Sequence, residues 1–424
     1  MRRLICGILL SFIYYPALAQ EVVEPFFDIN GFVETRLGFR TQHDPNEKDA
    51  SIAEARLQIE AEKDFDDFTF TAVIDFVADP ISGEYTIDLN TGEGFADLRQ
   101  FNIDFSPLDY ADVKIGRQII TWGTGDLLFI NDLFAKDWNS FLIGRDEEYL
   151  KAPTDALKAS LFFDAVNFNL VYTPKFQADR FIDGTRISYF DASTNASTGR
   201  HSPLVVQQPN RFFSDDEISI RAYRSLGSIE AALYYYNGFW KSPAGIDATS
   251  DQATFPELSV YGASLRGPLF GGIANIETGY YESNRDAATD ALSRNGELRF
   301  LVGYEQEIAS ELTASAQYYL EHKLDYGNYI DSLTDASFVD DQNHHVITLR
   351  LTQLLLQQDL ELSLFNFYSP SDKDGYLRLD SSYKFSDETK IEAGANIFYG
   401  DEKHTFYSQF NDNSNIYAAI RYSF

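Results

Sequence analysis

What the 424-residue sequence has least of narrows it first. It contains one cysteine, Cys6, and one methionine, Met1. Cys6 lies where Arg2 and Arg3 precede an apolar stretch from Leu4 to Tyr15 and a small-x-small triplet, Ala17-Leu18-Ala19. That layout, residues 1–19, reads as a secretory signal peptide, too short and wrongly flanked to be a membrane-spanning helix. Cleavage after Ala19 leaves a chain without a thiol, which excludes a disulfide framework, a thiolate metal site and a cysteine nucleophile. Beyond residue 19 no run of 18 apolar residues occurs, so no helical span is expected. Basic residues are scarce, with 34 Lys and Arg against 65 Asp and Glu and a formal charge of −31. A nucleic-acid binder needs a basic footprint, so that partner class is excluded. The six His are scattered and no Ser/His/Asp order stands out, so neither enzymatic chemistry nor a cofactor is expected. Linkers are missing too. No Pro/Gly/Ser-rich hinge or composition break divides residues 20–424, although that length usually suggests two or three soluble domains.

What is present is an aromatic-rich chain, with 26 Tyr and 35 Phe, in which apolar and polar residues alternate over runs of about ten. The clearest run is Phe68-Thr69-Phe70-Thr71-Ala72-Val73-Ile74-Asp75-Phe76. Val166 to Tyr172, Ile347 to Thr352 and Ile391 to Ile397 repeat it. This is the period of a strand with two unlike faces. About eighteen such strands are predicted, an even number, as expected for a single-chain bacterial membrane barrel. Short links, such as Asp64–Asp67, Phe163–Val166 and Ser386–Glu388, alternate with long polar ones. The two longest run from about Trp122 to Pro153 and from about Phe176 to Asp215. Short periplasmic turns opposite long external loops are a feature of outer-membrane barrels. Ile416, Ala418, Ile420, Tyr422 and Phe424 share one face of the last strand, which resembles the closing-strand signal that outer-membrane assembly machinery reads.

The predicted fold is therefore all-β, a single transmembrane antiparallel β-barrel. Lipid offers no hydrogen bonds, so every strand edge must be paired and the sheet closed. Outward positions include Val33, Leu37, Leu57, Ile59, Phe70, Ile74, Ile218, Leu233, Leu349 and Ile397. Tyrosines near strand ends, such as Tyr280, Tyr383 and Tyr422, suit the interfacial girdles. The inward positions are polar. Basic ones are Arg36, Arg56, Lys114, Lys158, Arg221, Arg299, Arg350, Arg378 and Arg421. Acidic ones are Glu34, Glu54, Glu60, Asp75, Asp104, Glu230, Glu277, Glu361, Asp380 and Glu392. A basic side chain facing lipid at the midplane costs about 2–4 kcal/mol, so these groups are expected to line a water-filled lumen. Two strands break the alternation: Arg99 shares parity with Phe101 and Ile103, and Arg117 with Val113 and Ile115. A one-residue bulge in each would repair it.

The strand Gly116-Arg117-Gln118 runs into a loop carrying Trp122, Gly123, Gly125 and Asp126. This resembles the strand-to-loop segment of alginate-export-type and related porin-like outer-membrane families. The resemblance implies an eighteen-stranded channel for an anionic or oligomeric sugar. The chain departs from that pattern in its inward charges, which are mixed rather than dominantly basic. The mixture favours a porin for passive transport of small hydrophilic solutes. The alternatives are a dedicated exporter or importer of an oligo- or polysaccharide, and a structural barrel housing a periplasmic partner.

The loop itself, residues 122–153, carries Leu127-Leu128-Phe129-Ile130, Phe134, Trp138, Phe141 and Leu142, too apolar for a solvated surface. It is expected to fold into the barrel and narrow it, the alternative being a packed external cap. Trp122, Asp126, Asp132, Asp137, Arg145, Asp146, Glu147, Glu148 and Lys151 would then stand at the constriction, where opposed charges orient dipolar solutes. Acid clusters at Asp44, Glu47 and Asp49, at Asp215 and Asp216, and at Asp340 and Asp341 are expected to be a solvated anionic surface. Their spacing matches no cation loop. His344 and His345 are adjacent in a strand and point to opposite faces, so no metal site is predicted. Outer-membrane lipid and lipopolysaccharide are the expected surroundings, and no patch on the lipid face sets an oligomeric state.

Overall fold

The computed structural model describes residues 27–83, 85–283, 292–333 and 338–424. Residues 1–19, the expected signal peptide, lie outside the described residues. Eighteen strands form one sheet. In chain order they are β1 (Asp28–Arg40), β2 (Ala50–Asp64), β3 (Thr69–Ala78), β4 (Ala96–Leu108), β5 (Ala111–Gln118) and β6 (Thr154–Leu161). They continue with β7 (Asn167–Thr173), β8 (Glu217–Leu226), β9 (Ile229–Phe239), β10 (Glu257–Leu269), β11 (Gly272–Ser283) and β12 (Glu297–Ala309). The last six are β13 (Leu312–Lys323), β14 (Asn343–Leu355), β15 (Leu360–Ser369), β16 (Asp374–Lys384), β17 (Thr389–Tyr399) and β18 (Asn415–Ser423).

Each strand pairs antiparallel with its neighbours in sequence, and β18 returns to β1 from Phe32↔Ser423 to Arg40↔Asn415. Gly31 and Phe424 then exchange two backbone hydrogen bonds, 3.1 and 2.9 Å, beyond the last register pair. The sheet is closed. A closed antiparallel sheet leaves no unsatisfied edge, the condition for strands in hydrocarbon. Among the described residues no helix is long and apolar enough to cross a membrane.

The two faces are inverted relative to a water-soluble sheet. Along β1, Phe32, Glu34, Arg36 and Gly38 are buried while Val33, Leu37 and Phe39 are exposed. Along β18, Asn415, Tyr417 and Ala419 are buried and Ile416, Ile420 and Tyr422 exposed. Leu233, Tyr261, Leu265 and Ile276 continue this exposed belt around the outside. An apolar surface of this extent is stable only against lipid.

The two irregular strands resolve differently. In β4 the pairing with β3 jumps from Val73↔Gln100 to Ile74↔Leu98, leaving Arg99 as the extra residue of a bulge that turns it inward. The expected bulge at Arg117 is not there. Arg117 keeps register with Phe101 on one side and Asp155 on the other. It stays in the outward row at the rim, where the Leu98 and Leu89 carbonyls and the Asp155 carboxylate cap its guanidinium.

A second correction concerns the inner face, which is not uniformly polar. Tyr236, Tyr281, Phe365, Phe367, Tyr376 and Phe398 point inward and are buried, because the apolar part of residues 122–153 packs against them.

Candidate functional site

The site grows from the GRQ strand. Beyond Gln118 the chain leaves β5, and Trp122 sets its ring edge-on to Phe134 at 4.9 Å. Gly123 adopts φ +86, a region that L side chains avoid, and its turn wraps the Glu277 carboxylate of β11. Glu277 accepts from Thr124 N (2.8 Å), Thr124 Oγ1 (2.9 Å), Gly125 N (3.2 Å), Asn131 N (2.8 Å) and Asn131 Nδ2 (2.9 Å). The glycines of the WGTGD run thus form a nest around an inward carboxylate. Glu277, expected to line the lumen, is buried beneath the loop.

The next residues carry the chain along the opposite wall. Asp126 N donates to Gln317 Oε1 and Gln317 Nε2 donates to Asp126 O, both at 2.8 Å, while its carboxylate lies 2.9 Å from Arg350 of β14. Ile130 is fully enclosed, its carbonyl accepting from the Tyr281 hydroxyl. Asp132 takes Thr121 Oγ1 at 2.6 Å and Lys136 Nζ at 3.0 Å.

A short helix α1 (Trp138–Ile143) follows. Its N-cap Asp137 accepts from Ser140 N at 2.7 Å and also holds Arg180 at 3.3 Å. Phe141 packs edge-on to Tyr376 at 5.6 Å, and the Arg378 guanidinium lies 5.1 Å from its ring centre.

The return limb crosses the wall of β14 to β18 and β1, β2 and β4. The Gly144 carbonyl accepts from Arg36 at 2.9 Å and the Arg145 carbonyl from Arg378 at 3.1 Å. Arg145 Nε donates to Glu54 at 2.9 Å. Asp146 lies 3.3 Å from Lys390 and 3.5 Å from Arg421, and Glu148 3.1 Å from Arg421. Glu147 reaches Arg350 at 3.4 Å, so that one arginine holds both limbs. Tyr149 lies between the guanidinium groups of Arg56 (4.3 Å) and Arg99 (4.7 Å). The Lys151 carbonyl accepts from Arg99 at 3.0 Å.

The wall residues are almost all paired. Glu34 takes Arg36 (2.9 Å) and Arg421 (2.8 Å), and Glu392 takes Arg36 and Lys390. Arg56 bonds Asp75, and Gln58 donates to the other Asp75 oxygen at 2.8 Å. Arg221 meets Glu230 at 2.6 Å, Lys114 meets Asp104 at 3.2 Å, and Arg299 meets Glu297 at 2.6 Å beside Tyr281. Lone charges would be expensive in a low-dielectric interior, and pairing offsets part of that cost.

The loop carboxylates titrate far apart. Burial pushes Asp126 up to about 6, and Arg350 reverses only part of that. Burial also acts on Asp146, but Lys390 and Arg421 outweigh it and hold the pKa down to about 2.

The acid clusters of the other loops are only in part the solvated surface expected of them: Asp49, Asp340 and Asp341 are exposed, whereas Asp44, Glu47 and Asp215 are not. Asp44 is buried, accepting from Ser188 Oγ (2.6 Å) and Asn46 N (2.8 Å). Glu47 accepts from Arg200 N at 3.1 Å, and Asp215 from the amides of Asn210 and Arg211. They cap loops. Among the described residues no cluster of three or more His, Cys, Asp or Glu is arranged to hold a metal. His344 turns to Asp372 (3.0 Å) and His345 to Tyr318 (2.8 Å), on opposite faces of β14.

Sequence reasoning missed Arg99, Gln317, Tyr281 and Asn275, whose Nδ2 donates to the Thr124 carbonyl at 3.0 Å, as loop anchors. Gln317 and Asn275 sit on the inward parity of their strands, so alternation alone marks them.

An eighteen-stranded closed sheet with an apolar exterior, a charged interior and a long segment seated across it is the architecture of porin-type outer-membrane barrels. No family model matches the sequence, and no curated protein matches it. Solved structures do. OccAB4 of Acinetobacter baumannii superposes with a TM-score of 0.57 at 9% identity, over 93% of this chain and 97% of that one. Pseudomonas aeruginosa OccK11 (OpdR) gives 0.54 at 7% identity, over 93% and 95%. OccK3 (OpdO) of the same organism gives 0.54 at 10%, over 94% and 96%. At such identities the likeness is one of fold.

Proposed function

We propose that the protein is an outer-membrane channel for passive passage of small hydrophilic solutes, delivered to that membrane by the signal peptide of residues 1–19. Outer-membrane lipid and lipopolysaccharide would surround its apolar belt. The observation that carries the reading is the segment 122–153, tied at both limbs to charged side chains of the inner wall. Such a segment reduces the free cross-section and sets carboxylates and guanidinium groups opposite one another, where a polar solute is oriented and an apolar one excluded. Asp126, Asp146, Glu147, Glu148 and Arg145 form its charged edge, and Arg36, Arg350, Arg378 and Arg421 the wall they meet. The wall carries both signs rather than a dominantly basic lining, which favours small solutes over a polyanion.

Purified protein in a planar bilayer should give discrete conductance steps. Their absence in the folded, heat-modifiable protein overturns the reading.

A further inference from the structure

Two neighbouring short turns differ from the rest. The turns after β2, β4, β6, β12, β14 and β16 each carry an exposed carboxylate: Asp66, Asp109, Asp164, Glu311, Asp359 and Asp387. Those after β8 and β10, Gly227-Ser228 and Phe270-Gly271, carry none. Exposed apolar side chains flank them instead. Leu226, Ile229 and Leu269 share strand parity with Ile218, Leu233 and Leu265, so they extend the outer belt to the turns.

The second of these turns keeps an apolar tip against its own backbone preference. Leu269 pairs with Gly272, so Phe270 and Gly271 form a two-residue loop, and both have positive φ, +48 and +87. Such loops favour Asn, Asp or Gly at the first position, because a bulky side chain is strained there. Phe270 is nevertheless 89% exposed, so packing within the chain does not offset the strain. The backbone around it is fixed, with the Tyr304 hydroxyl of β12 donating to the Leu269 and Phe270 carbonyls at 3.2 and 3.3 Å. A strained and presented phenyl points to a contact outside the chain.

Arg224 is the independent observation. It pairs with Ala231 and shares the outward parity of β8 with Ile218, which places it on the lipid side at the level of the turns. It is exposed, and among the described residues no carboxylate or carbonyl holds it. An arginine on the outer face is tolerated close to the interface, where its stem lies along apolar surface and its charge reaches the headgroups.

We propose that the turns after β8 and β10 bind one anionic phospholipid of the leaflet on the short-turn side. Its phosphate would lie on Arg224 and its apolar part along Leu226, Ile229, Leu269 and Phe270. The carboxylates of the other turns repel the same headgroup, which confines the site to this sector. Continuity with the belt favours a lipid over a water-soluble partner. A symmetric contact with a second copy would bring two unpaired Arg224 side chains into one interface.

The proposal rests on the placement of the barrel in a membrane and not on conduction. Native mass spectrometry of the detergent-solubilised full chain would compare dioleoyl-phosphatidylglycerol with dioleoyl-phosphatidylcholine, which share acyl chains and differ in net headgroup charge. One phosphatidylglycerol should be retained about tenfold more tightly, the gain expected from one charge-assisted contact. Arg224→Gln should abolish that preference and leave phosphatidylcholine unchanged. Phe270→Asn relieves the turn, so it should raise thermal stability while lowering retention of both lipids. Equal retention of the two lipids by the unaltered chain, a preference that survives Arg224→Gln, or unchanged retention in Phe270→Asn overturns the proposal. A dimer that forms without phosphatidylglycerol and is lost in Phe270→Asn assigns the patch to a second copy and overturns it as well. Selective retention without conductance leaves the site and removes the channel. Conductance without selective retention removes the site and leaves the channel.

Discussion

Glu277 accepts five hydrogen bonds and has no cation at ion-pair distance among the described residues. Three of its donors are backbone amides, that of Asn131 buried and those of Thr124 and Gly125 partly so. Leaving a buried donor unpaired costs about 1–3 kcal/mol. Glu277→Ala should therefore free residues 123–131 while the barrel persists. Hydrogen exchange should speed up at Thr124, Gly125 and Asn131 and stay slow in β11. Uniform acceleration across β11 would mean that Glu277 holds the strand and not the loop.

Asp126 belongs to the same scale, and its sign differs from that of a usual paired carboxylate. Its folded pKa, about 6, lies above the unfolded value of about 4. Its contribution to stability is thus fully present below that unfolded value and is lost as pH rises through 6. Acidification consequently tightens the fold slightly while removing one negative charge from beside Arg350. Asp146, held near 2, stays ionised throughout, so the return limb remains anchored. Conductance or ion preference should show a step near pH 6 that shifts toward anions on the acid side. The step should vanish in Asp126→Asn. If it survives there, another group is titrating.

At the scale of elements, the segment 122–153 and the strands around it make separable contributions. The strand ladders close without the segment, since β5 pairs β6 from Gln118↔Thr154 directly across its base. Replacing residues 124–150 with a short Gly/Ser turn should leave a heat-modifiable barrel and raise single-channel conductance several-fold. An unfolded product would show that the buried aromatic wall, Tyr376 and Phe398 among others, needs its partner in order to fold.

That wall also marks where sequence reading stops. Period-two alternation locates the strands, because lipid and lumen demand opposite chemistry at every second residue. It locates Arg99 as a fault, and the bulge answers it. Alternation does not distinguish an aromatic ring that faces lipid from one that faces a folded-in loop, since both are apolar environments. Phe365 and Tyr376 therefore went unrecognised as loop contacts. Arg117 misled for a related reason. Alternation assumes that an outward position meets hydrocarbon, and at the rim it meets loop carbonyls instead. The buried role of Asp44 depends on its contact with Ser188, a long-range pairing that no local pattern encodes, whereas Asp215 caps its own loop through the amides of Asn210 and Arg211.

For the whole molecule the balance of charge is the property that bears on selectivity. The chain carries 65 acidic and 34 basic residues, and several inward guanidinium groups are matched by carboxylates, Arg36 by Glu34 and Glu392, Arg56 by Asp75, Arg221 by Glu230 and Arg299 by Glu297, while Arg378 donates to the Arg145 carbonyl instead. A paired arginine presents little field beyond a few ångströms, whereas the unpaired excess is negative. The potential along the channel should be mildly negative and should draw cations in. With a tenfold KCl gradient across a planar bilayer, the reversal potential should fall on the cation-selective side by a modest margin. Because exposed charges are screened over about 10 Å at 0.1 M salt and about 3 Å at 1 M, that margin should shrink as both reservoirs are concentrated. A salt-independent preference would place the selecting charges in a narrow dry passage, at the Asp126–Arg350–Glu147 contact. A strong anion preference would require arginines released from the pairs described here, and with them a different arrangement of the wall.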